Sequence, residues 1–212
     1  MPVSDIRIDK VVTSGTFSLD GGTWDVDNNV WVIGDDAECV VIDAAHDAAA
    51  INEAIAGRRL THILCTHGHD DHIDAVGDLV GLHPKAQVLI HDADRMLWDR
   101  EISQPPDGAL ADGQGIAVGS TELKVLHTPG HSPGACCFLL ASEGVLFSGD
   151  TLFQGGPGAT GRSFSDFDTI VDSIRERLLT LPPETVVHTG HGDDTSIGAE
   201  APHLQEWIDR GE

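Results

Sequence analysis

An α/β fold of two stacked sheets with helices outside them is what this 212-residue sequence predicts. Three observations carry that prediction. Short apolar runs rich in β-branched residues recur along the chain, punctuated by Gly, Asp or Asn, as buried strands do. Segments with helical spacing of apolar residues lie between them. The order is strands first, then strands and helices mixed, then strands, then strand and helix again. A layered sandwich fits that order better than a pure β-sandwich or a helix bundle.

Taken along the chain, the expected strands are 6–12 (IRIDKVV), 28–34 (NNVWVIG), 38–44 (ECVVIDA), 61–67 (THILCTH) and 86–92 (AQVLIHD). Further on come 122–128 (ELKVLHT), 135–141 (ACCFLLA), 144–150 (GVLFSGD) and 185–191 (TVVHTGH). Helices are expected over 46–57, 72–82, 93–99, 166–181 and 199–210. The fourth has the clearest pattern, with Phe167, Ile170, Val171, Ile174, Leu178 and Leu179 on one face and Pro182-Pro183 ending it. Residues 103–115 and 154–163 are rich in Gly, Pro and Asp and read as loops, and the glycines of the second do not have phosphate-binding spacing.

The composition bounds the function. Hydrophobic residues at 40% and charged residues at 22% suit one globular domain over residues 1–212 with a real core. A formal charge of −23, from 35 acidic residues against 12 Lys+Arg, repels phosphate backbones and anionic lipid. Neither nucleic acid nor membrane is expected as a partner. The opening MPVSDIRIDK has no apolar signal-peptide core, and no run is long enough to span a bilayer, so a cytoplasmic location is expected. Cys39, Cys65, Cys136 and Cys137 all lie in apolar runs and read as reduced core residues. Trp24, Trp31, Trp98 and Trp207 read as packing residues, with Trp24 in a Gly-rich turn where it can rim a pocket.

The chemistry concentrates in His67-Gly68-His69-Asp70-Asp71-His72, three of the chain's 12 histidines within six residues. The run follows a strand, so alternation puts His67 and His69 on a common side, while Asp71 and His72 open the next helix. Three later positions repeat the pattern of strand, turn and ligand: His131, Asp150 and His191. Imidazole and carboxylate donors suit zinc, iron or manganese, and their number exceeds what one ion needs. His62, His127 and His188 precede these positions in the same strands and read as strand or supporting residues. His46, His83, His91 and His203 read as surface or loop histidines.

On THGHDDH, HTPGHSPGACCFLL, LFSGDTLFQGG and TGHG, the chain resembles the metallo-β-lactamase-fold superfamily, and within it the glyoxalase II-like thioester hydrolases. The resemblance implies a four-layer αββα sandwich with metals at one edge of the sheets. It implies two divalent ions, zinc foremost, with iron or manganese as alternatives. His67, His69 and His131 resemble the first site, Asp71, His72 and His191 the second, and Asp150 the bridging carboxylate. A water made acidic by both ions would attack a carbonyl carbon, with Asp71 also orienting the nucleophile. Asp43 resembles a residue supporting the metal loop, and Arg162 is placed to meet an anionic substrate.

The expected partner is a small-molecule thioester of a low-molecular-weight thiol, and the expected assembly is a monomer or small homo-oligomer. The resemblance is nearest to short, single-domain bacterial members. After His191 the chain has one basic residue, Arg210, and it has no tyrosine anywhere. Full-length glyoxalase II enzymes add a helical segment with glutathione-binding basic residues after the last ligand, so a carrier other than glutathione is expected. The Asp- and Ala-rich, Lys-poor composition, as of a high-GC actinobacterium, points to mycothiol. Two alternatives stand beside the hydrolase: a mononuclear-iron persulfide dioxygenase of the same fold, and a metal-binding or redox-sensing module without turnover.

Overall fold

The computed structural model describes residues 6–211. It opens with a long hairpin, β1 (Arg7–Leu19) and β2 (Gly22–Gly34), paired end to end from Arg7↔Gly34 to Leu19↔Gly22. Asp20 and Gly21, both with positive φ (53° and 80°), make its two-residue turn, the conformation that favours an Asp-Gly pair. The strands therefore extend well beyond the expected 6–12 and 28–34, and Trp24 stands within β2 opposite Phe17, not in a turn. The first sheet continues with β3 (Glu38–Ile42), β4 (Arg59–Leu64), β5 (Gln87–His91) and β6 (Gly108–Leu110), the last three pairings being parallel. Helices α1 (Ala48–Ile55), α2 (Asp70–Ile73), α3 (Val76–Leu82) and α4 (Arg95–Glu101) make the crossovers.

The second sheet runs β14-β13-β10-β9-β8-β7. Its strands are β7 (Gly115–Val118), β8 (Thr121–His127), β9 (Cys136–Leu140), β10 (Val145–Gly149), β13 (Val186–Thr189) and β14 (Thr195–Ser196). A small ribbon, β11 (Leu152–Phe153) with β12 (Gly156–Pro157), projects beside it. Helices α5 (Phe167–Ser173), α6 (Ile197–Glu200) and α7 (Leu204–Arg210) cover its outer face.

Three apolar clusters correspond to the three interfaces of a four-layer αββα sandwich. Ile51, Ile55, Val76 and Leu79 from α1 and α3 pack on Cys39, Val41 and Ile63 of the first sheet. Val40, Ile42 and Leu64 point the other way and meet Val125, Phe138 and Phe147 between the sheets. Cys137, Leu146 and Val187 face out to Ile170, Ile174 and Trp207. Strand alternation assigns each neighbour in β3 and β9 to opposite layers.

Several boundaries differ from expectation. The helix expected over 72–82 is broken in two, because the Asp74 side chain turns back to His46 and Ala75 N–H donates to Ala44 O. The helix over 166–181 widens into a π-helical stretch at Ile174–Leu178, where Leu179 N–H bonds Ile174 O at 2.9 Å. The last helix is interrupted by a 3-10 turn at Ala201–His203, which contains Pro202. β6 and β12 lie within the two stretches expected to be loops. Among the described residues no helix is long and apolar enough to cross a membrane.

What matters for the site is strand direction. β3 and β4 run parallel, β10 and β13 run parallel, and β8 runs with β10 because both are antiparallel to β9. The carboxyl ends of these strands share one edge. The sheets are stitched there: Cys136 N–H donates to Thr66 O, Asn29 N–H to Gly190 O, and Trp31 Nε1 to Thr189 O.

All four cysteines are buried and free, and the adjacent Cys136 and Cys137 face opposite layers. Burial pushes the Cys39 and Cys137 thiols up to about 11 and raises Cys65 and Cys136 further. A thiol-titrating disulfide reagent should therefore find no reactive cysteine in the native protein at pH 8. All four should react once guanidinium unfolds it.

Candidate metal centre

His67 and His69 follow β4, and His131 follows β8. His67 Nε2 and His131 Nε2 each lie 3.0 Å from His69 Nδ1. Donors around one tetrahedral ion at a bond length of ~2.1 Å stand about 3.4 Å apart, so this spacing is close to what a shared cation needs. Hydrogen bonds on the far side of the His131 and His67 rings fix their tautomers, while His69 Nε2 is buried without a hydrogen-bond partner. His131 Nδ1 donates to Ala159 O at 2.9 Å. His67 Nδ1 lies 3.0 Å from Thr66 Oγ1, whose own proton goes to Asp43 Oδ2, so the ring donates there. Both Nε2 lone pairs therefore face inward.

A second triad adjoins the first. His72 Nε2 and His191 Nε2 lie 3.2 Å apart, and each is 3.4 Å from Asp71 Oδ2. His72 Nδ1 donates to Asp43 Oδ2 and His191 Nδ1 to Asp27 O, both at 2.8 Å, so these Nε2 atoms also turn inward. Asp150, after β10, stands between the triads. Its Oδ2 is 3.6 Å from His131 Nε2 and 3.4 Å from His191 Nε2, and its Oδ1 is 3.4 Å from His72 Nε2. All seven residues expected from the sequence thus converge, as a His/Asp cluster with the donor set of a two-metal site.

The charges fit a cation. Burial, with His131 beside it, drives the His69 imidazole down to about 3, and burial holds His67 well below the ordinary range. Burial also opposes charge on His72 and His191, yet the carboxylates win. Asp71, Asp150 and Asp43 hold His72 well above its ordinary value, and Asp150 with Asp71 lifts His191 to about 10. Asp150 Oδ1 is buried and accepts no hydrogen bond. A buried carboxylate oxygen left so is costly unless a cation meets it. The inward lone pairs and this orphaned oxygen fit two bound ions.

Residues that the histidine pattern does not reveal hold the cluster in place. Asp94 is fully buried and accepts from Gly68 N–H, Ser132 Oγ and Gly134 N–H, clamping the loops of His69 and His131 together. Asn28 Nδ2 donates to Asp71 Oδ2 at 3.0 Å, while Asn29 Nδ2 donates to Thr189 O and Gly192 O around His191. The one sequence signal for these last two is a pair of amides inside the apolar run NNVWVIG. Gly190 is required by close approach: a Cβ there would sit 2.3 Å from Asp150 Oδ1. Asp43 lies where expected, bonded to Thr66 and His72.

The other histidines stay outside the cluster. His188 stacks on Trp31 at 4.1 Å and bonds Asp194, bracing the His191 loop. His91 and His127 stack on each other. His62, His83 and His203 bond Thr61, Asn52 and Glu206. His46 departs from expectation, because its side chain is only 4% exposed and is bonded to Asp74 and Asn28.

The cluster opens into a cavity of about 220 Å³ walled by Phe17, Trp24, Val26 and Ala159. Arg162 stands at its mouth, with its guanidinium carbon 3.9 Å from the Trp24 ring centroid and 5.3 Å from that of Phe17. It makes no ion pair among the described residues.

The chain matches the family described as the Metallo-beta-lactamase superfamily over residues 23–191. It is 36% identical to the probable metallo-hydrolase YqgX of Bacillus subtilis over 82% of this chain and 88% of the relative. It is 31% identical to the hydroxyacylglutathione hydrolase GloC of Haemophilus influenzae, over 78% of this chain and 85% of that one. Among solved structures, TTHA1623 in a di-iron-bound form superposes with a TM-score of 0.75 at 31% identity, covering 90% of this chain and 97% of that chain.

The pKa pattern gives the metal-free protein a stability optimum. His69, at about 3 against an ordinary 6.5, is protonated preferentially in the unfolded chain, so stability falls as pH drops from 6.5 toward 3. His191, raised from 6.5 to about 10, contributes stability that is complete below 6.5 and lost as pH rises through 10. Calorimetry of the chelated protein should therefore show Tm highest near pH 6.5 and lower on both sides. Adding metal at pH 8 should release protons, measured by titration calorimetry in buffers of different ionisation enthalpy.

Proposed function

Because the chain belongs to the metallo-beta-lactamase superfamily, we propose that it is a metal-dependent hydrolase of thioesters formed by a low-molecular-weight thiol. His67 Nε2, His69 Nδ1 and His131 Nε2 would hold one ion, and Asp71 Oδ2, His72 Nε2 and His191 Nε2 a second, with Asp150 between them. Two divalent cations there supply a water acidified to near neutrality and a Lewis acid for the carbonyl oxygen. The donor set takes zinc or iron, and TTHA1623 carries two irons.

One observation about the pocket favours a thioester. Its ionisable lining residues are His69, Asp71, His131, Asp150, His191 and Arg162, and all but the arginine belong to the ligand set. None is free to protonate a leaving group. A thiolate, the conjugate base of a thiol with pKa ~8.5, departs without that help, whereas an alkoxide or amide ion does not. Phe17 and Trp24 give the acyl or thiol portion an apolar wall. The Arg162 guanidinium, braced on Trp24, keeps its N–H donors for a carboxylate on the substrate. The hydroxyacylglutathione hydrolase activity named for GloC belongs to this reaction class.

The test is metal content per chain measured alongside release of thiol from a panel of glutathione and mycothiol thioesters. Two ions and chelator-sensitive turnover are expected. One iron per chain with oxygen consumption would identify a persulfide dioxygenase instead. Absence of turnover at full metal loading would identify a binding module. Within the panel, Arg162→Ala should raise KM about 10- to 100-fold for substrates bearing a carboxylate, with kcat little changed.

A further inference from the structure

Behind Asp71 a line of hydrogen bonds runs outward to Asp74. Asn28 Nδ2 donates to the Asp71 carbonyl at 2.9 Å and to Asp71 Oδ2 at 3.0 Å. Both are acceptors, so the amide has one acceptable orientation and its Oδ1 points away from Asp71. That oxygen lies 2.9 Å from His46 Nε2, which must therefore carry a proton. The other ring nitrogen, Nδ1, lies 2.8 Å from Asp74 Oδ2, and the His46 backbone N–H bonds Asp74 Oδ1 at 2.6 Å. The ring is thus held at both nitrogens, wedged between Asp74 and the Asn28 carbonyl.

The backbone is adapted to this placement. His46 has a φ of 60°, a left-handed conformation that L-residues rarely adopt. β1 makes room with Gly15, where a Cβ would stand 2.2 Å from His46 Nδ1.

We infer that His46 is a positioning residue for Asp71: with Asp74 it locks the Asn28 amide so that Asp71 Oδ2 is presented to the second ion. This rests on the assignment of Asp71 as a ligand of that ion. The chain of contacts runs from Asp74 through His46 and Asn28 to Asp71 of the second triad, and among the described residues Asp74, His46 and Asn28 make no hydrogen bond to His67, His69 or His131. Its effect should therefore fall on one ion of the two.

The experiment uses the zinc-loaded protein. His46→Leu should weaken one of the two zincs about 10- to 100-fold while the other is unchanged. It should also lower kcat with KM retained. Gly15→Ala, which displaces the ring without altering its chemistry, should reproduce the loss, and His46→Gln, which keeps one donor, should recover part of it. If His46→Leu does not fold, Gly15→Ala decides the matter. Equal weakening of both zincs, or neither weakened, would overturn the proposal while leaving the dinuclear assignment standing. Uptake of only one zinc by the wild type would overturn that assignment, and this proposal with it.

Discussion

A single buried carboxylate, Asp43, sets the direction of the lone pairs on which the cluster depends. It is 2% exposed and accepts three hydrogen bonds, from Thr66 N–H, Thr66 Oγ1 and His72 Nδ1. Left unsatisfied, a carboxylate at that depth would cost several kcal/mol. Satisfied, it determines two imidazoles at once. His72 must put its proton on Nδ1, and Thr66, having given its hydroxyl proton away, must take one from His67 Nδ1. The inward Nε2 lone pairs of both rings follow from that one group. Its own backbone, at φ 56°, turns the chain sharply off β3 to reach this position.

Asp94 does for the loops what Asp43 does for the rings. It bonds Gly68 from the first sheet and Ser132 and Gly134 from the second, so the two halves of the His67–His69–His131 triad share one anchor. Rigidity is needed here because the arrangement is unfavourable in itself. Imidazole nitrogens with lone pairs facing each other at 3.0 Å repel, and Asp71 and Asp150 add like charge beside them. Without metal, protons on His72 and His191 supply the missing positive charge. The folded scaffold, paid for by three apolar layers, holds a geometry that a cation completes.

The sequence made the fold and the seven clustered residues legible for a common reason. Strand periodicity is local, and each of His67, His69, His131, Asp150 and His191 stands just after an apolar run. A strand end is a place that can be read without knowing its neighbours. What stayed hidden depends on contacts across the chain: Asn28 meets Asp71 across 43 positions, Asn29 meets Thr189 across 160, and Asp94 meets Gly134 across 40. His46 was misjudged for the same reason, since a lone histidine after a strand resembles a solvated one until Asp74 and Gly15 are brought beside it. The break between α2 and α3 belongs here too. Helical spacing over 72–82 is genuine, but Asp74 is committed to His46, a demand that spacing does not record.

The charge balance around the pocket explains why one arginine matters. With 35 acidic residues against 12 Lys+Arg, most cations on this surface have carboxylates within reach, and Arg7, Arg58, Arg59, Arg95, Arg175 and Arg177 are all in ion pairs. Arg162 instead lies over an aromatic ring, which supports its plane without consuming its N–H donors. The anionic substrate proposed above would meet a repulsive field at long range on approaching a protein of formal charge −23. Screening reduces that field within about 10 Å at ordinary salt, so a local guanidinium dominates once the substrate reaches the mouth. The acidic surface and the arginine are therefore compatible with the proposed substrate: the first repels polyanions at long range, and the second would hold a small anion where the cluster opens into its cavity.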